Sequence, residues 1–377
     1  MDNIFELHDV TFAYNPRFPP ILNGFSMNIE RGVRTAILGC NGAGKTTFFN
    51  TLTGVNKPQA GEVLYNGEQI EYTKAGLMKV REDVAVVLQN PDEQIFCSLV
   101  EEDVAFGPLN IGLEREEVER RVDRALKDVR MVGFNRRPLQ QLSGGQRKRV
   151  AIAGALAMQP KLMIMDEPTA GLDPQAAVEV MELAEKMALK GVTVLISTHD
   201  IDLAYKWADR SNVLLNGKID FVGSSDDFYV NAENVYECGL LAPSIFNTNK
   251  EVSAIKKMDM APFPHNMAEF VAKFGASKRS GKLCLVPTTV EDCVAKFEEM
   301  TKDVKDAAVG IYGSEVRFEL LDRDIEFMFE GLESCFTQAV KGRDAILFYD
   351  EIYAPTIQKQ IDRIKEFGFD LDYEVVA

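Results

Sequence analysis

Eight consecutive residues carry the clearest chemical signal in the sequence. Gly39 to Thr46 read G-C-N-G-A-G-K-T, which fits the pattern G-x-x-x-x-G-K-[ST] of a phosphate-binding loop. Glycines let successive backbone N–H groups turn towards phosphate oxygens, and the N-terminus of the following helix adds positive potential. We expect Lys45 to contact the β and γ phosphates of a nucleotide, and the Thr46 hydroxyl to ligate Mg²⁺. The predicted nucleotide contacts in this loop are Gly39, Cys40, Asn41, Gly42, Ala43, Gly44, Lys45, Thr46 and Thr47.

Two adjacent carboxylates end a second apolar segment. Leu162 to Asp166 read L-M-I-M-D, and Glu167 follows directly. Successive side chains of a strand point to different sides, so Asp166 can face the metal while Glu167 faces the water that attacks the γ-phosphate. Such a pair alone is more often a solvated strand end. Together with the phosphate loop, it predicts a metal ligand and a general base.

A third segment indicates a family. Leu142 to Gln146 read L-S-G-G-Q, followed by R-K-R-V-A-I-A-G-A-L, and a serine with two glycines at a helix start can present hydroxyl and N–H groups to an anion. This segment resembles the signature motif of ATP-binding cassette (ABC) ATPases. The resemblance implies that Ser143, Gly144, Gly145 and Gln146 contact the γ-phosphate of ATP held by the phosphate loop of a second ATPase subunit.

The remaining motifs of that family occur in the expected order. The resemblance implies that Gln89 reaches Mg²⁺ and the attacking water, and that the loop 170–173 (A-G-L-D), which ends at Asp173, lies at a dimer interface. It also implies that His199 contacts the γ-phosphate and that Tyr14, in T-F-A-Y, stacks on adenine. By itself a lone histidine or tyrosine is more often structural, so both assignments depend on position. The resemblance covers residues 1 to about 230.

Two stretches narrow the resemblance to one branch of the ABC ATPase family. Val86 to Phe96 and Glu102 to Asn110 look like the energy-coupling-factor ATPases, the branch that includes cobalt, nickel and vitamin importers. In that branch the region after Gln89 lines a groove for coupling helices of a transmembrane protein. Asp92 and Glu93 could meet basic residues on such helices, or they could form a solvated acidic turn.

Apolar segments and helices alternate so as to position these motifs. Segments 34–39, 161–165 and 192–197 are predicted strands, and 174–190 is a predicted helix because Asp173 can cap it and Pro174 starts it. Residues 114–132 are predicted as an amphipathic helix in a helical insertion. This alternation predicts a mainly parallel, buried sheet. The predicted fold class is α/β, an ABC-type P-loop nucleotide-binding domain with a helical subdomain, plus a smaller C-terminal α/β domain.

The predicted domains are an ABC ATPase domain at 1–230, a linker at 231–264 and a small α/β domain at 265–377. The linker is predicted because Asn and Pro cluster there without periodicity. The elements expected in the small domain are strands at 282–286, 307–311, 315–320, 345–349 and 372–376 and helices at 290–304, 324–340 and 354–367. We expect this domain to be regulatory or to mediate dimerisation.

The cysteines of the small domain leave two alternatives open. Cys284, Cys293 and Cys335 could be soft metal ligands that sense a transported ion, or they could be buried structural residues, which composition favours. Across the whole chain the 6 cysteines form no close pair, which suits reduced thiols.

Length and composition limit the number of domains, the kinds of partner and the cellular location that we expect. A length of 377 residues predicts two or three domains. The net charge of −16, from 42 Lys and Arg against 58 Asp and Glu, argues against nucleic acid as a partner. No uncharged apolar run approaches the ~18 residues of a spanning helix, and the N-terminus does not resemble a signal peptide. We therefore expect the protein to stay in the cytoplasm, and the resemblance implies a peripheral position at the cytoplasmic face of the cell membrane.

The expected function is that of the ATP-hydrolysing subunit of an energy-coupling-factor importer, with ATP and Mg²⁺ as cofactors and cobalt as the first substrate candidate. Expected partners are a second ABC ATPase subunit, identical or paralogous, a transmembrane coupling subunit and a substrate-binding membrane subunit. The alternative is a soluble, non-transport ABC ATPase with a C-terminal sensor domain. The single cassette and the acidic charge disfavour that alternative.

Overall fold

The computed structural model describes residues 2–277, 279–302, 304 and 306–376. The chain divides into two compact units, Met1–Val180 with Lys190–Leu241 and Met181–Leu189 with Ala242–Ala377, which are called here the large unit and the small unit. Among the helices of the described residues, none is long and apolar enough to span a bilayer.

The large unit contains an antiparallel and a mainly parallel sheet. Its strands are β1 (Asn3–Phe12), β2 (Leu22–Glu30), β3 (Arg34–Leu38), β4 (Ala60–Tyr65), β5 (Glu68–Gln69), β6 (Val84–Val87), β7 (Leu162–Asp166), β8 (Thr193–Ser197), β9 (Arg210–Leu215) and β10 (Lys218–Gly223). The first sheet has the order β2-β1-β4-β5 and is antiparallel. The second has the order β10-β9-β3-β8-β7-β6, in which β10 alone is antiparallel to its neighbour.

The parallel sheet is buried, as the sequence predicts. Every residue of β7 and β8 is buried, because helices or a second sheet must cover both faces of such a sheet. The apolar core between the two sheets includes Phe25 and Phe48, whose ring centroids lie 5.1 Å apart. The prediction of an α/β fold with alternating strands and helices is confirmed.

The helices of the large unit include a separate bundle. They are α1 (Lys45–Leu52), α2 (Lys74–Asp83), α3 (Val100–Asn110), α4 (Arg115–Asp128), α5 (Gly144–Ala157), α6 (Pro174–Leu189), α7 (Ile201–Trp207), α8 (Ser225–Val230) and α9 (Ala232–Glu237). Helices α3, α4 and α5 pack against one another and form the expected helical insertion. Helix α4 ends before the predicted residue 132, because Arg130 and Gly133 adopt positive φ angles of 58° and 83°.

The small unit is built on a four-stranded parallel sheet. Its strands are β11 (Lys282–Thr288), β12 (Ala308–Tyr312), β13 (Ala345–Asp350) and β14 (Asp372–Val375), in the order β12-β13-β11-β14. Its helices are α10 (Ser244–Lys256), α11 (Met267–Phe274), α12 (Cys293–Thr301), α13 (Ser314–Glu319), α14 (Gly331–Val340) and α15 (Ala354–Glu366). Leu347 and Phe348 belong to two different apolar clusters, as the two-residue period of a strand covered on both faces requires.

The structure differs from the sequence prediction in the segment 231–264. Instead of a linker without regular structure, it contains α9 and α10. The Asn231 side chain accepts a hydrogen bond from the Asn234 N–H and caps α9, and Pro243 precedes α10. Asn231 and Pro243, two of the residues that suggested a linker, therefore mark helix ends.

Three further elements differ in type or extent. Residues 315–320, predicted as a strand, lie largely in α13, and the predicted helix 324–340 begins only at Gly331. Phe327 is instead hydrogen-bonded to the backbone of β12. The predicted helix 290–304 corresponds to α12 at Cys293–Thr301 and includes Asp303, which lies outside the described residues.

Candidate nucleotide-binding and hydrolysis site

The phosphate loop joins β3 to α1. Gly39 has a φ of 144°, and a Cβ at that position would lie 2.5 Å from the carbonyl oxygen of Leu214, so a side chain cannot be accommodated. Gly44, the residue before α1, has a left-handed φ of 106°. No described side chain caps the first turn of α1. Its N–H groups and its positive potential are therefore available to an anion.

Lys45 lies almost buried inside this loop. Its Nζ donates hydrogen bonds to the carbonyl oxygens of Gly39, at 2.7 Å, and Cys40, at 3.3 Å. Burial lowers the pKa of Lys45, while the carboxylates of Glu167 and Asp166 partly offset that effect. The ammonium group is thus held at the loop by two weak neutral acceptors, which a phosphate oxygen would replace with a stronger, charged one.

The predicted metal ligands Thr46 and Asp166 are in contact. Thr46 Oγ1 donates a hydrogen bond to Asp166 Oδ2 at 3.0 Å. The other carboxylate oxygen, Oδ1, accepts a hydrogen bond from Ser197 Oγ, and the register of β7 and β8 pairs Asp166 with Ser197. Hydroxyl and carboxylate oxygens are hard donors of the kind that Mg²⁺ prefers, so this pair fits that ion.

Glu167 and His199, the predicted base and the predicted γ-phosphate contact, lie side by side. His199 Nε2 lies 3.1 Å from Glu167 Oε1, and the His199 backbone N–H donates to Glu167 Oε2 at 3.2 Å. Oε1 is buried, and the His199 imidazole is a described polar group beside it. Burial raises the pKa of the Glu167 carboxyl, and both contacts with His199 act in the opposite direction.

The backbone of Glu167 is strained. It has a φ of 46°, in the left-handed region, and its N–H donates to the carbonyl oxygen of Ser197 at 3.0 Å. A residue other than glycine in this region costs about 1–3 kcal/mol and persists where the surroundings hold it. In this conformation the carboxylate lies beside His199.

Gln89 lies at the same edge of the sheet, two residues after the paired residue Val87 of β6. Its side chain is exposed. Its backbone carbonyl, with that of Leu88, accepts hydrogen bonds from Lys148 Nζ at 3.0 and 2.8 Å. Lys148 is buried, and burial lowers its pKa to about 8.

The signature residues lie at the start of α5 and not at the phosphate loop. Ser143 and Gln146 form a reciprocal cap, in which Ser143 Oγ accepts from the Gln146 N–H at 3.3 Å and Gln146 Oε1 accepts from the Ser143 N–H at 3.0 Å. Ser143 and Gly144 are exposed. The surface they present is the one that the resemblance assigns to nucleotide held by a second subunit.

Tyr14 follows β1 and is mostly exposed. Its hydroxyl lies 3.3 Å from Thr47 Oγ1, and its ring packs against the edge of Phe12 at a centroid distance of 5.0 Å. The ring therefore lies beside the phosphate loop, where a base could stack on it.

Asp173 caps α6 and ends the 170–173 loop. Its Oδ1 accepts from the Ala176 N–H at 2.8 Å. The N–H of Ala170, at the other end of the loop, donates to the carbonyl oxygen of Glu167 at 3.2 Å. The loop is thereby connected directly to Glu167.

Three residues at the site were not predicted. Ser197 ends β8 two positions before His199. Its closeness to a predicted site residue is the sequence signal that could have identified it. Lys148 follows L-S-G-G-Q, but nothing local indicates that it reaches the Gln89 loop. Arg147 forms an ion pair with Asp92 at 2.7 Å, so a basic partner for this carboxylate lies in the same chain.

The cysteines of the small unit do not come together as a metal site. Cys293 and Cys335 are buried, and burial raises the pKa of the Cys293 thiol to about 11. Cys284 Sγ lies 3.3 Å from Glu374 Oε1. Among the described residues there is no group of three or more His, Cys, Asp or Glu side chains that could hold a metal ion.

Comparison with known proteins agrees with this geometry. A family model described as ABC transporter matches residues 22–170. The energy-coupling factor transporter ATP-binding protein EcfA of Methanocaldococcus jannaschii is 46% identical over 259 residues, which cover 69% of this chain and 91% of the relative. EcfA of Methanococcus maripaludis is 46% identical over 242 residues, covering 64% of this chain and 87% of the relative.

Solved structures show the same similarity. The structure of cbiO1 from Clostridium perfringens, part of the ABC transporter complex cbiONQ, aligns with a TM-score of 0.58 at 37% identity over 68% of this chain and 100% of that one. The dimeric ATP-binding cassette MJ0796, in a post-hydrolysis state with ADP and Pi, aligns with a TM-score of 0.54 at 30% identity over 58% of this chain and 98% of that one. The chain therefore belongs to the ABC transporter family, in its energy-coupling-factor branch, as an ATP-binding subunit with ATPase activity.

Proposed function

We propose that this subunit couples ATP binding and hydrolysis, in a dimer of cassettes, to import of a metal ion, with cobalt as the first candidate, or of a vitamin. The observation that carries the hydrolytic part is the convergence of Lys45, Thr46, Asp166, Glu167 and His199 at the carboxyl ends of β3, β7 and β8. Lys45 and the loop amides bind the phosphates, and Glu167 accepts the proton of the attacking water.

Thr46 and Asp166 are the residues that would hold Mg²⁺, with Gln89 approaching from β6. The ion, when bound, neutralises charge that develops on the phosphate oxygens. Ser197 orients Asp166 through the hydrogen bond to Oδ1, so that Oδ2 is directed to the Thr46 hydroxyl. Tyr14 supplies a surface for the adenine ring.

The proposed dimer follows from where the signature residues lie. Ser143 and Gly144 are exposed at the N-terminus of α5, and their described contacts are within that cap. A second cassette, identical or paralogous, would place its phosphate loop against them, as the dimeric cassette among the similar structures suggests. Loss of the γ-phosphate then removes contacts shared by both subunits and favours opening.

An exposed aromatic patch after Gln89 supports a membrane partner. Phe96 is 64% exposed and Phe106 is 45% exposed, and their rings pack edge to face with centroids 4.6 Å apart. Leu109, on the same helix as Phe106, is also exposed. Exposed apolar groups that lie together mark interaction sites. We propose that a helix of a transmembrane coupling subunit packs here and that the chain lies at the cytoplasmic face of the membrane.

We also propose the division into an ATPase domain at residues 1–230 and a small regulatory or dimerisation domain at 265–377. The relatives named above, one of them in a complex that contains other components, support the presence of a substrate-binding membrane subunit. That subunit would select the substrate.

The test is affinity purification of the tagged full chain from gently solubilised membranes of its host. We expect a polytopic membrane protein to copurify with the wild type and to be lost from a Phe96→Ala/Phe106→Ala variant that still binds ATP. Phe318→Ala is the matched control, because Phe318 is also 64% exposed but lies in the small unit. Recovery of soluble partners alone, with ATPase activity intact, would favour the non-transport alternative. Uptake assays with radiolabelled cobalt in cells that carry the recovered subunits then test the substrate.

A further inference from the structure

The loop that carries Gln89 is bonded to helix α5 within the large unit. Gln89 follows β6, and its side chain is exposed. The direction of an exposed side chain depends mainly on the backbone from which it leaves, because packing does not constrain it. The backbone contacts of this loop therefore decide whether Gln89 points to the place where the resemblance expects Mg²⁺ and the attacking water.

Lys148 holds the two peptide groups on either side of the Gln89 Cα atom. Its Nζ donates to the carbonyl oxygen of Leu88 at 2.8 Å and to that of Gln89 at 3.0 Å. The first carbonyl belongs to the peptide plane before Gln89 and the second to the plane after it. Since peptide groups are planar, fixing both carbonyls restricts the direction in which the Gln89 side chain leaves the backbone.

Gln94 holds the same loop from its other end. Its Oε1 accepts from the Leu88 N–H at 2.9 Å, and its Nε2 donates to the carbonyl oxygen of Ala151 at 3.2 Å. Ala151 and Lys148 are three residues apart in α5, so both contacts are made on one face of that helix. The segment from Leu88 to Gln94 is thus attached to α5 at both ends.

The residue type at position 148 is costly for packing alone. Lys148 is 1% exposed, and burying an ammonium group carries a large desolvation cost. A methionine of similar length would fill the same space without that cost. The lysine adds two directed hydrogen bonds to the loop, which a methionine cannot make.

We propose that Lys148 is a positioning residue for ATP hydrolysis, which together with Gln94 fixes the loop backbone to α5 and so sets the direction of Gln89. This inference rests on the proposed function, in which Gln89 approaches Mg²⁺ and the attacking water. It deepens that function by naming two residues, outside the predicted site, on which the position of Gln89 depends.

The experiment is a double-mutant cycle in the full-length protein, with kcat and KM for ATP as the measured quantities. We expect kcat to fall about 5-fold in Lys148→Met and about 10-fold in Gln89→Ala, because displaced catalytic groups are costly. The double variant should fall no further than Gln89→Ala alone, since a residue that acts through Gln89 has nothing more to lose once Gln89 is removed. KM should stay within about twofold, because neither residue belongs to the phosphate loop.

Hydrogen exchange of the nucleotide-free protein, measured by mass spectrometry, gives a second result that needs no turnover. Peptides from the segment 86–96 should exchange faster in Lys148→Met and in Gln94→Leu than in the wild type, because each substitution removes contacts between the loop and α5. Wild-type exchange in both variants would show that these contacts do not hold the loop, and would overturn the proposal.

Arg121→Met is the matched control. Arg121 Nη1 also donates to two backbone carbonyls of this region, those of Ala157 and Met158 at 3.4 and 3.3 Å, but at the opposite end of α5. This variant should keep the wild-type kcat and the wild-type exchange of the segment 86–96.

The outcomes separate the proposal from the function on which it rests. If Lys148→Met keeps the wild-type kcat while Gln89→Ala loses activity, the positioning role is refuted and the proposed function stands. If the two effects multiply in the double variant, Lys148 acts by another route, such as its charge near Asp166 and Glu167, and the proposal is wrong. If Gln89→Ala keeps the wild-type kcat, the role of Gln89 itself is wrong. Should Lys148→Met fail to fold, Gln94→Leu takes its place in the cycle.

Discussion

Thr46 Oγ1 donates a hydrogen bond to Asp166 Oδ2 over 3.0 Å, although 120 residues separate the two in the chain. The parallel sheet makes this contact possible, because β3 and β7 both pair with β8 and end at the same edge. The contact joins the phosphate loop to the acidic strand. The same edge holds Glu167 and His199, so the residues proposed for phosphate binding and for proton transfer lie at one edge of the sheet.

Replacing Lys45 with alanine should weaken ATP binding by about 30-fold or more, because loss of one partner of a buried charged contact costs about 2–5 kcal/mol. Equilibrium titration with a fluorescent ATP analogue measures this change. Lys218→Ala, at an exposed position, should bind as the wild type does. Unchanged affinity in Lys45→Ala would show that the loop does not bind phosphate as described.

The rate of hydrolysis should fall on the acid side of the pH profile. Glu167 must be ionised to accept a proton, and burial raises the pKa of its carboxyl above the ordinary 4.5. Activity is therefore present above that raised pKa and is lost as the pH falls through it. A profile of kcat/KM, which reports the groups of the free enzyme, should show the acid limb above the usual range of a glutamate.

His199→Ala should move this acid limb to higher pH, in addition to lowering kcat. The histidine lowers the Glu167 pKa through its backbone N–H and its ring charge, and the substitution removes the ring. His8→Ala, at an exposed histidine in β1, is the control and should leave the limb in place. A limb that shifts to lower pH in His199→Ala would contradict the proposed coupling of the two groups.

Lys148→Met should alter how stability depends on pH. The Lys148 pKa is about 8 in the fold against 10.5 in the unfolded chain, so the unfolded state binds more protons between these values. Stability of the wild type should then rise with pH in this window, by an amount on the order of 3 kcal/mol relative to the variant. Denaturant unfolding at pH 7.5, 9 and 10 tests this, with Lys161→Met as an exposed control. Parallel curves for wild type and Lys148→Met would show that the lysine is not desolvated.

Local patterns were sufficient to predict the motifs and most elements of the large unit. The phosphate loop, β7 and α6 each have their signal within a few residues, namely glycine spacing, an apolar run and a capping aspartate. The contact of Thr46 with Asp166 was predictable as well, because both groups follow strands whose carboxyl ends share one edge.

Elements stabilised from a distance were not predictable in the same way. The prediction of a strand at helix α13 is wrong because the helix has no local side-chain cap within the described part of the chain. Its first N–H groups are capped by Asp350, which lies 35 residues from Glu315 in the sequence. Lys148 and Ser197 act through partners on other elements. The pairing of Glu182 with Arg317, 135 residues later, assigns half of α6 to the small unit, and no local pattern contains that information.

The central claim is that Glu167 is the base for ATP hydrolysis, and the most direct test uses the Glu167→Gln variant in ATP and Mg²⁺. Size-exclusion chromatography with light scattering measures its assembly state, and analysis of the bound nucleotide measures its occupancy. The substitution keeps the shape of the side chain and removes its basic oxygen, so kcat should fall by about 100-fold or more. The protein should then elute as a dimer that retains ATP. A monomer that turns over ATP at the wild-type rate, or one that holds only ADP, would contradict the account.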